Sequence, residues 1–241
     1  AVRYGAGGER AVLRRVLCER AASKAGALRV GGRYLITGGA GGLGAVLARY
    51  LARVYSAKLV LSGRSARAER HEALLRELQQ LGPEARYEQA QVSDRQQMSA
   101  VVARARECFG GIDGVIHAAG ELSAGSVLEK SWEEFARGLC AKQAGTQVLD
   151  EVLQSERGLQ FMCYFASSAG LLGDFGGGDY ALGNRFEQAY ARYRQGLVER
   201  GERAGRTVAI GWPVWAAGGM RVGNAASEQL YLRGSGQVAL T

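Results

Sequence analysis

The chain has 241 residues, 47% of them apolar and 22% charged, with only two prolines, enough for one large domain with a sizeable core and without the composition of a long disordered linker. Its formal charge is +8, but the basic residues are scattered along helical patterns and form no run interleaved with aromatics, so solvated helix faces rank first, acidic small molecules or an acidic partner protein second, and nucleic acid third. Cys18, Cys108, Cys140 and Cys163 lie far apart without C-x-x-C pairing and the only histidines are His71 and His117, which argues against zinc or any other metal.

Along the chain, strand and helix signals alternate. Strand-like runs are YLIT (34–37), KLVLS (58–62), YEQAQV (87–92), IDGVIHA (112–118), QFMCYFA (160–166) and TVAIGW (207–212). Between them lie helical patterns, the clearest opening at Asp94 as N-cap and carrying Met98, Val101, Val102, Ala105, Cys108 and Phe109 as one apolar stripe. This rhythm builds right-handed βαβ units, and hence an α/β fold with a parallel sheet and helices on both faces. The thiols read as small core residues in a reducing, cytoplasmic compartment. No segment approaches the roughly 18 apolar residues of a membrane span, and Ala1 suggests a piece of a longer polypeptide.

The first strand runs into TGGAGGLG, Thr37 to Gly44. Gly39, Gly41 and Gly44 satisfy G-x-G-x-x-G, and Thr37, Gly38, Gly42 and Gly44 satisfy T-G-x-x-x-G-x-G, with Leu43 inside both. Missing side chains let a backbone turn tightly, approach a pyrophosphate and open a helix whose N–H groups face it. The context supports a dinucleotide, because the amphipathic LGAVLARYLARV follows. Twenty positions beyond Gly44 stands Arg64, flanked by Ser62, Gly63 and Ser65, where an NAD-binding chain would carry an acid; NADPH is the expected cofactor. The fourth strand ends in His117, Ala118, Ala119 and Gly120, small enough for the backbone to pass beside the cofactor. The fifth leads through Ser167 to Tyr180 at a helix start, with Asn184 one turn later on the same face.

These segments, with GWPVWAAGGM (211–220) and YALGNRFEQAYARYR (180–194), resemble the ketoreductase domains of modular polyketide synthases, members of the short-chain dehydrogenase/reductase superfamily. The likeness is strongest to bacterial assembly lines whose acyltransferase acts in trans. It implies a Rossmann-like doubly wound parallel sheet, with Val92 joining the cofactor wall. Most of the superfamily places lysine four residues after the tyrosine, whereas here Asn184 holds that position and Lys142 lies on an earlier helix, the exchanged arrangement of synthase ketoreductases. The resemblance implies a hydride passed to a ketone, Tyr180 as proton donor, Lys142 as the cation stabilising a phenolate whose free form titrates near 10, Ser167 as hydrogen-bond donor to the carbonyl oxygen, and Asn184 orienting Lys142 or a bridging water. The substrate would be a ketoacyl thioester on the phosphopantetheine arm of an acyl carrier protein, with neighbouring synthase domains in the same polypeptide and neither nucleic acid nor membrane as partner. A catalytically silent scaffold is the alternative, and a sugar-nucleotide epimerase of the same fold a more distant one, contradicted by Asn184.

Some family positions differ. The aspartate beside the adenine aligns with Gln91, with Asp94 just beyond. The Leu-Asp-Asp marker of one alcohol stereoisomer aligns with Leu122, Ser123 and Ala124, and the tryptophan marking the other with Leu172, so the missing aspartate leans toward an L-hydroxy product. The resemblance also divides the chain into the end of a structural subdomain over 1–30 and a catalytic subdomain over 31–241, with a lid at about 216–233 that closes on an acyl chain, and it implies that the domain's last elements lie beyond the C-terminus.

Overall fold

In the computed structural model, residues 2–4, 6–12, 26–82, 84–121, 127–174, 177–216, 219 and 225–240 are described. Two short strands, β1 (Val2–Tyr4) and β2 (Arg10–Val12), pair antiparallel as a separate sheet. The main sheet contains β3 (Arg33–Thr37), β4 (Lys58–Gly63), β5 (Ala85–Gln89), β6 (Gly114–His117), β7 (Phe161–Ser167) and β8 (Arg206–Trp212). Their order is β5-β4-β3-β6-β7-β8, all parallel. The sequence direction reverses between β3 and β6, and the crevice outside the strand ends at such a switch point is where open α/β sheets bind ligands.

The helices are α1 (Gly42–Tyr55), α2 (Glu69–Gln80), α3 (Arg95–Phe109), α4 (Trp132–Cys140), α5 (Ala144–Val152), α6 (Ala169–Leu172), α7 (Gly178–Glu199) and α8 (Ala225–Ser235). One core cluster joins α1 and α2 to the sheet through Ala48, Leu51, Leu75, Leu78, Ile36 and Leu61. The other sets α3 and α5 against the opposite face through Met98, Val101, Val102, Leu149, Leu35 and Val115. Burial on both faces explains why β3 and β4 read as continuous apolar runs.

The α3 stripe lies where its spacing put it. Asp94 caps it, Oδ1 accepting from the Gln97 N–H at 3.0 Å, Met98, Val101, Val102, Ala105 and Phe109 are buried, and Gly110 ends it at φ 76°. Cys108 is half-buried at the stripe's margin. The third strand is displaced from its expected 87–92 to Ala85–Gln89. The Gln91 N–H donates to Gln97 Oε1 and its carbonyl accepts from Asp94 N, so the chain turns toward α3 before Val92 can pair.

Candidate functional site

At the C-terminal ends of the strands lies a cavity of about 700 Å³. Its first wall is the glycine-rich turn. Gly38 adopts φ +66°, and a Cβ there would sit 2.8 Å from Ala118 O and Ala119 N; a Cβ on Gly44 would sit 2.3 Å from Gly38 O. Any larger residue at either position would push the β3 turn away from β6 or away from α1. No side chain caps α1 and no acid occupies its first turn, so the positive end of the helix is left for an anion.

Most of the expected cofactor residues line this space: Thr37, Gly38, Gly41, Gly42, Leu43, Gly44, Ser62, Gly63, Arg64, Ser65, Val92, Ala118, Ala119 and Gly120. Gly39 and His117 do not. His117 is fully buried behind the wall, with Nδ1 2.6 Å from the Thr37 hydroxyl and Nε2 facing Ala141 O at 3.1 Å and Glu187 Oε1 at 3.5 Å. Burial, with the Lys142 cation adding to it, lowers His117 to about 3. The neutral ring therefore carries its proton on Nε2, where Ala141 O accepts, and takes the Thr37 hydrogen on Nδ1. Its part here is to hold Thr37 from behind. Gln91 lines the cavity, whereas Asp94 is occupied as the α3 cap.

Arg64 Nη1 meets Glu121 Oε2 at 2.5 Å across the cavity mouth. Glu121 and the stacked pair His71 and Tyr87, ring centroids 4.2 Å apart, belong to no motif of the sequence, yet they also line the cavity. The Tyr87 hydroxyl donates to Ser65 O at 2.7 Å and fixes that loop.

Of the four expected catalytic residues, Lys142, Ser167 and Tyr180 line the same cavity, brought there by the turn between α4 and α5, the end of β7 and the first turn of α7. Asn184 lies behind it, fully buried, its Nδ2 donating to Tyr180 O at 2.7 Å while Oδ1 has no partner among the described residues. Lys142 is 3% exposed; its Nζ donates to Phe165 O at 3.0 Å and to Glu187 Oε2 at 2.9 Å. Glu187 was not anticipated. Its position among Gly183, Asn184, Ala191 and Arg194, the inward stripe of α7, is the signal that could have found it.

Next to Tyr180, Asp179 is 1% exposed and pairs with Lys130 Nζ at 2.8 Å, which fastens the start of α7 to the segment preceding α4. Tyr231 from α8 and Gln237 from the segment after it also line the cavity, and Ser168 Oγ lies 2.9 Å from Gln237 Oε1. Leu172, at the end of α6, is 48% exposed, and Leu122, Ser123 and Ala124 lie outside the described residues. Among those described, no cluster of metal-ligating side chains exists and no helix is long and apolar enough to cross a membrane.

A parallel six-stranded sheet whose glycine turn faces a cavity shared by a serine, a tyrosine and a lysine defines a nucleotide-binding α/β protein of the short-chain dehydrogenase/reductase kind. The KR domain family model matches residues 32–217, and the chain belongs to that family of polyketide synthase ketoreductase domains. Polyketide synthase PksM of Bacillus subtilis (strain 168) is 49% identical over 210 residues, covering 87% of this chain and 5% of the synthase. Polyketide synthase ThaG of Burkholderia thailandensis is 44% identical over 250 residues, covering 98% of this chain and 4% of the synthase. The chain thus spans about one twentieth of the curated relatives it matches. The crystal structure of a ketoreductase domain from the bacillaene assembly line superposes with a TM-score of 0.89 at 36% identity, covering 99% of this chain and 56% of that one.

Proposed function

We propose that this domain reduces the ketone of a ketoacyl thioester, carried on the phosphopantetheine arm of an acyl carrier protein, with NADPH as cofactor. The observation that carries the reading is the meeting of Ser167, Tyr180 and Lys142, from three separate parts of the chain, in one cavity with the glycine turn. Membership of the family supports the reaction class. The cavity suits a dinucleotide phosphate: a Cβ on Gly38 or Gly44 would collide with backbone, the α1 N-terminus is uncapped, and Arg64 stands at the mouth.

When bound, the cofactor supplies the hydride. Thr37, the α1 N-terminus and Ser62 to Ser65 hold its phosphates and adenosine end, with Arg64 as the cation for the 2′-phosphate. The Ser167 hydroxyl donates to the ketone oxygen, where negative charge grows as the carbon is reduced. Tyr180 delivers the proton to that oxygen. The Lys142 ammonium stabilises the phenolate left on Tyr180. Asn184 braces the first turn of α7 through Tyr180 O, and its free Oδ1 is the acceptor for a bridging water. Gly219, Tyr231 and Gln237 close the acyl side of the cavity. The +8 charge suits both a phosphorylated cofactor and an acidic carrier protein.

The test is NADPH oxidation with a simple ketone and with a ketoacyl thioester mimic, on wild type and Tyr180→Phe. The substitution is expected to lower turnover about 10²- to 10⁴-fold while NADPH binding, followed by fluorescence, stays intact. Wild type that binds NADPH yet turns nothing over would make the domain a scaffold, and turnover surviving in the variant would refute Tyr180 as the acid.

A further inference from the structure

The reduction as described leaves one fully buried acid without a task. Glu187 is 0% exposed; Oε2 lies 2.9 Å from Lys142 Nζ, while Oε1 faces His117 Nε2 at 3.5 Å and makes no hydrogen bond among the described residues. Three elements press on it. They bring His117 from β6, Lys142 from the turn between α4 and α5, and Cys163 and Tyr164 from β7. Burial pushes the Glu187 carboxyl up to about 7 against the pull of Lys142, and drives the Cys163 thiol to about 12 and the Tyr164 phenol well above its ordinary value. An acid with no route to water is costly to fold, and an apolar side chain would fill the same inward position of α7 at less expense. What the carboxyl does achieve is geometric. A lysine head on its four-carbon stem rotates freely, but between Phe165 O at 3.0 Å and Glu187 Oε2 this one is held where it lines the cavity.

Resting on the proposed reduction, we infer that Glu187 is a positioning residue: its carboxyl, hydrogen-bonded to Lys142 and packed beside His117, fixes the Lys142 ammonium at the reacting end of the cavity. The Glu187→Gln variant tests it by keeping the shape and removing the charge. Turnover is expected to fall at least about tenfold, with the KM for ketone within about twofold of wild type, because misplacing a reacting group costs rate more than affinity. A second reading needs no activity. The rate at which an amine-acylating reagent labels Lys142, mapped by peptide mass spectrometry with the 41% exposed Lys58 as internal reference, is expected to rise at least about threefold once the ammonium loses its anchor. Turnover and Lys142 labelling both at wild-type values would overturn the inference. Should Glu187→Gln show no cooperative melting, Glu187→Asp, which keeps the charge but draws it back by one methylene, takes its place under the same two readings: slower turnover with faster labelling sustains the inference and wild-type values overturn it. Wild type without NADPH-dependent ketone turnover would instead count against the reduction itself, while labelling still reads whether Glu187 holds Lys142.

Discussion

Arg64 and Glu121 meet across the mouth of the cavity with side chains 61% and 36% exposed. An ion pair so wet is worth at most about 1 kcal/mol, so an adenosine 2′-phosphate, offering more charge and several acceptors, can displace the carboxylate. Arg64→Ala is therefore expected to raise the Kd for NADPH about tenfold, the worth of a charge-assisted hydrogen bond, and to leave the Kd for NADH within about twofold. Calorimetric titration of both cofactors checks it, and equal losses would remove Arg64 from phosphate recognition. The types of the site residues were legible in the sequence because a glycine turn, an arginine after the second strand and a tyrosine at a helix start each answer a chemical need. Which way a side chain points was less so. His117, expected in the cofactor wall, pairs in register with Thr37 on the neighbouring parallel strand, so the two side chains stand side by side on one face and the imidazole lies behind the hydroxyl. Glu187 escaped notice for a related reason: its partners sit 45 and 70 positions earlier in the chain, and no local spacing announces them.

Among the helices, α7 carries the most, since it brings Tyr180 to the cavity, Asn184 and Glu187 behind it, and Arg194, about two turns beyond Glu187, into the core. Arg194 is fully buried, with Nε 2.7 Å from Asp150 Oδ1 and its other nitrogens on Thr207 Oγ1, Gly205 O and Ala204 O. It joins α7 to α5 and to the entry of β8. Arg194→Met is expected to cost about 3–5 kcal/mol, because among the described residues it leaves the buried Asp150 carboxylate with only Arg203 and the Tyr190 hydroxyl. Urea unfolding of the single variant and of Arg194→Met with Asp150→Leu decides the matter: a double variant more stable than the single one identifies the cost as the stranded charge. The strand and helix rhythm that foretold these elements was readable because buried parallel strands are continuous apolar runs and amphipathic helices repeat every three to four residues. Element ends were not. The third strand stops at Gln89 because the Gln97 side chain takes the Gln91 amide, and the fourth begins at Gly114 because Asp113 gives its carboxylate to Arg33 and Arg29. The first limit is set by a side chain six positions further on and the second by arginines about 80 positions earlier, and neither shows in the apolar run itself.

Taken as a whole the domain encloses two titrating groups whose effects on stability run in opposite directions. His117 is held at about 3, first by burial and then by Lys142, whereas the same imidazole in the unfolded chain titrates near 6.5. Below that value the unfolded state binds a proton the folded state refuses, so stability falls as pH drops from about 6.5 toward 3. Glu187 is raised to about 7 by burial from a usual carboxyl value near 4.3. Between those values the folded state keeps a proton that the unfolded state has lost, so this group favours the fold at the acid end and its contribution is lost as pH rises toward 7. In wild type the two partly cancel between pH 5 and 7. Taking the acid away with Glu187→Gln leaves His117 unopposed, and the melting temperature of that variant is expected to fall more steeply than that of wild type between pH 7 and pH 5. Removing the imidazole with His117→Gln leaves Glu187 unopposed and turns the trend over, so that this variant gains on wild type as the pH drops. Each pH unit below the unfolded pKa is worth about 1.4 kcal/mol, and a domain of this length shifts about 2–4 °C per kcal/mol, so at pH 5 the gap between wild type and His117→Gln should have moved by roughly 4–8 °C. Thermal melts of the three proteins at pH 5, 6 and 7 in one buffer series read it directly. Parallel curves for all three would mean that water reaches this cluster and that the imidazole and the carboxyl titrate as they would in solution.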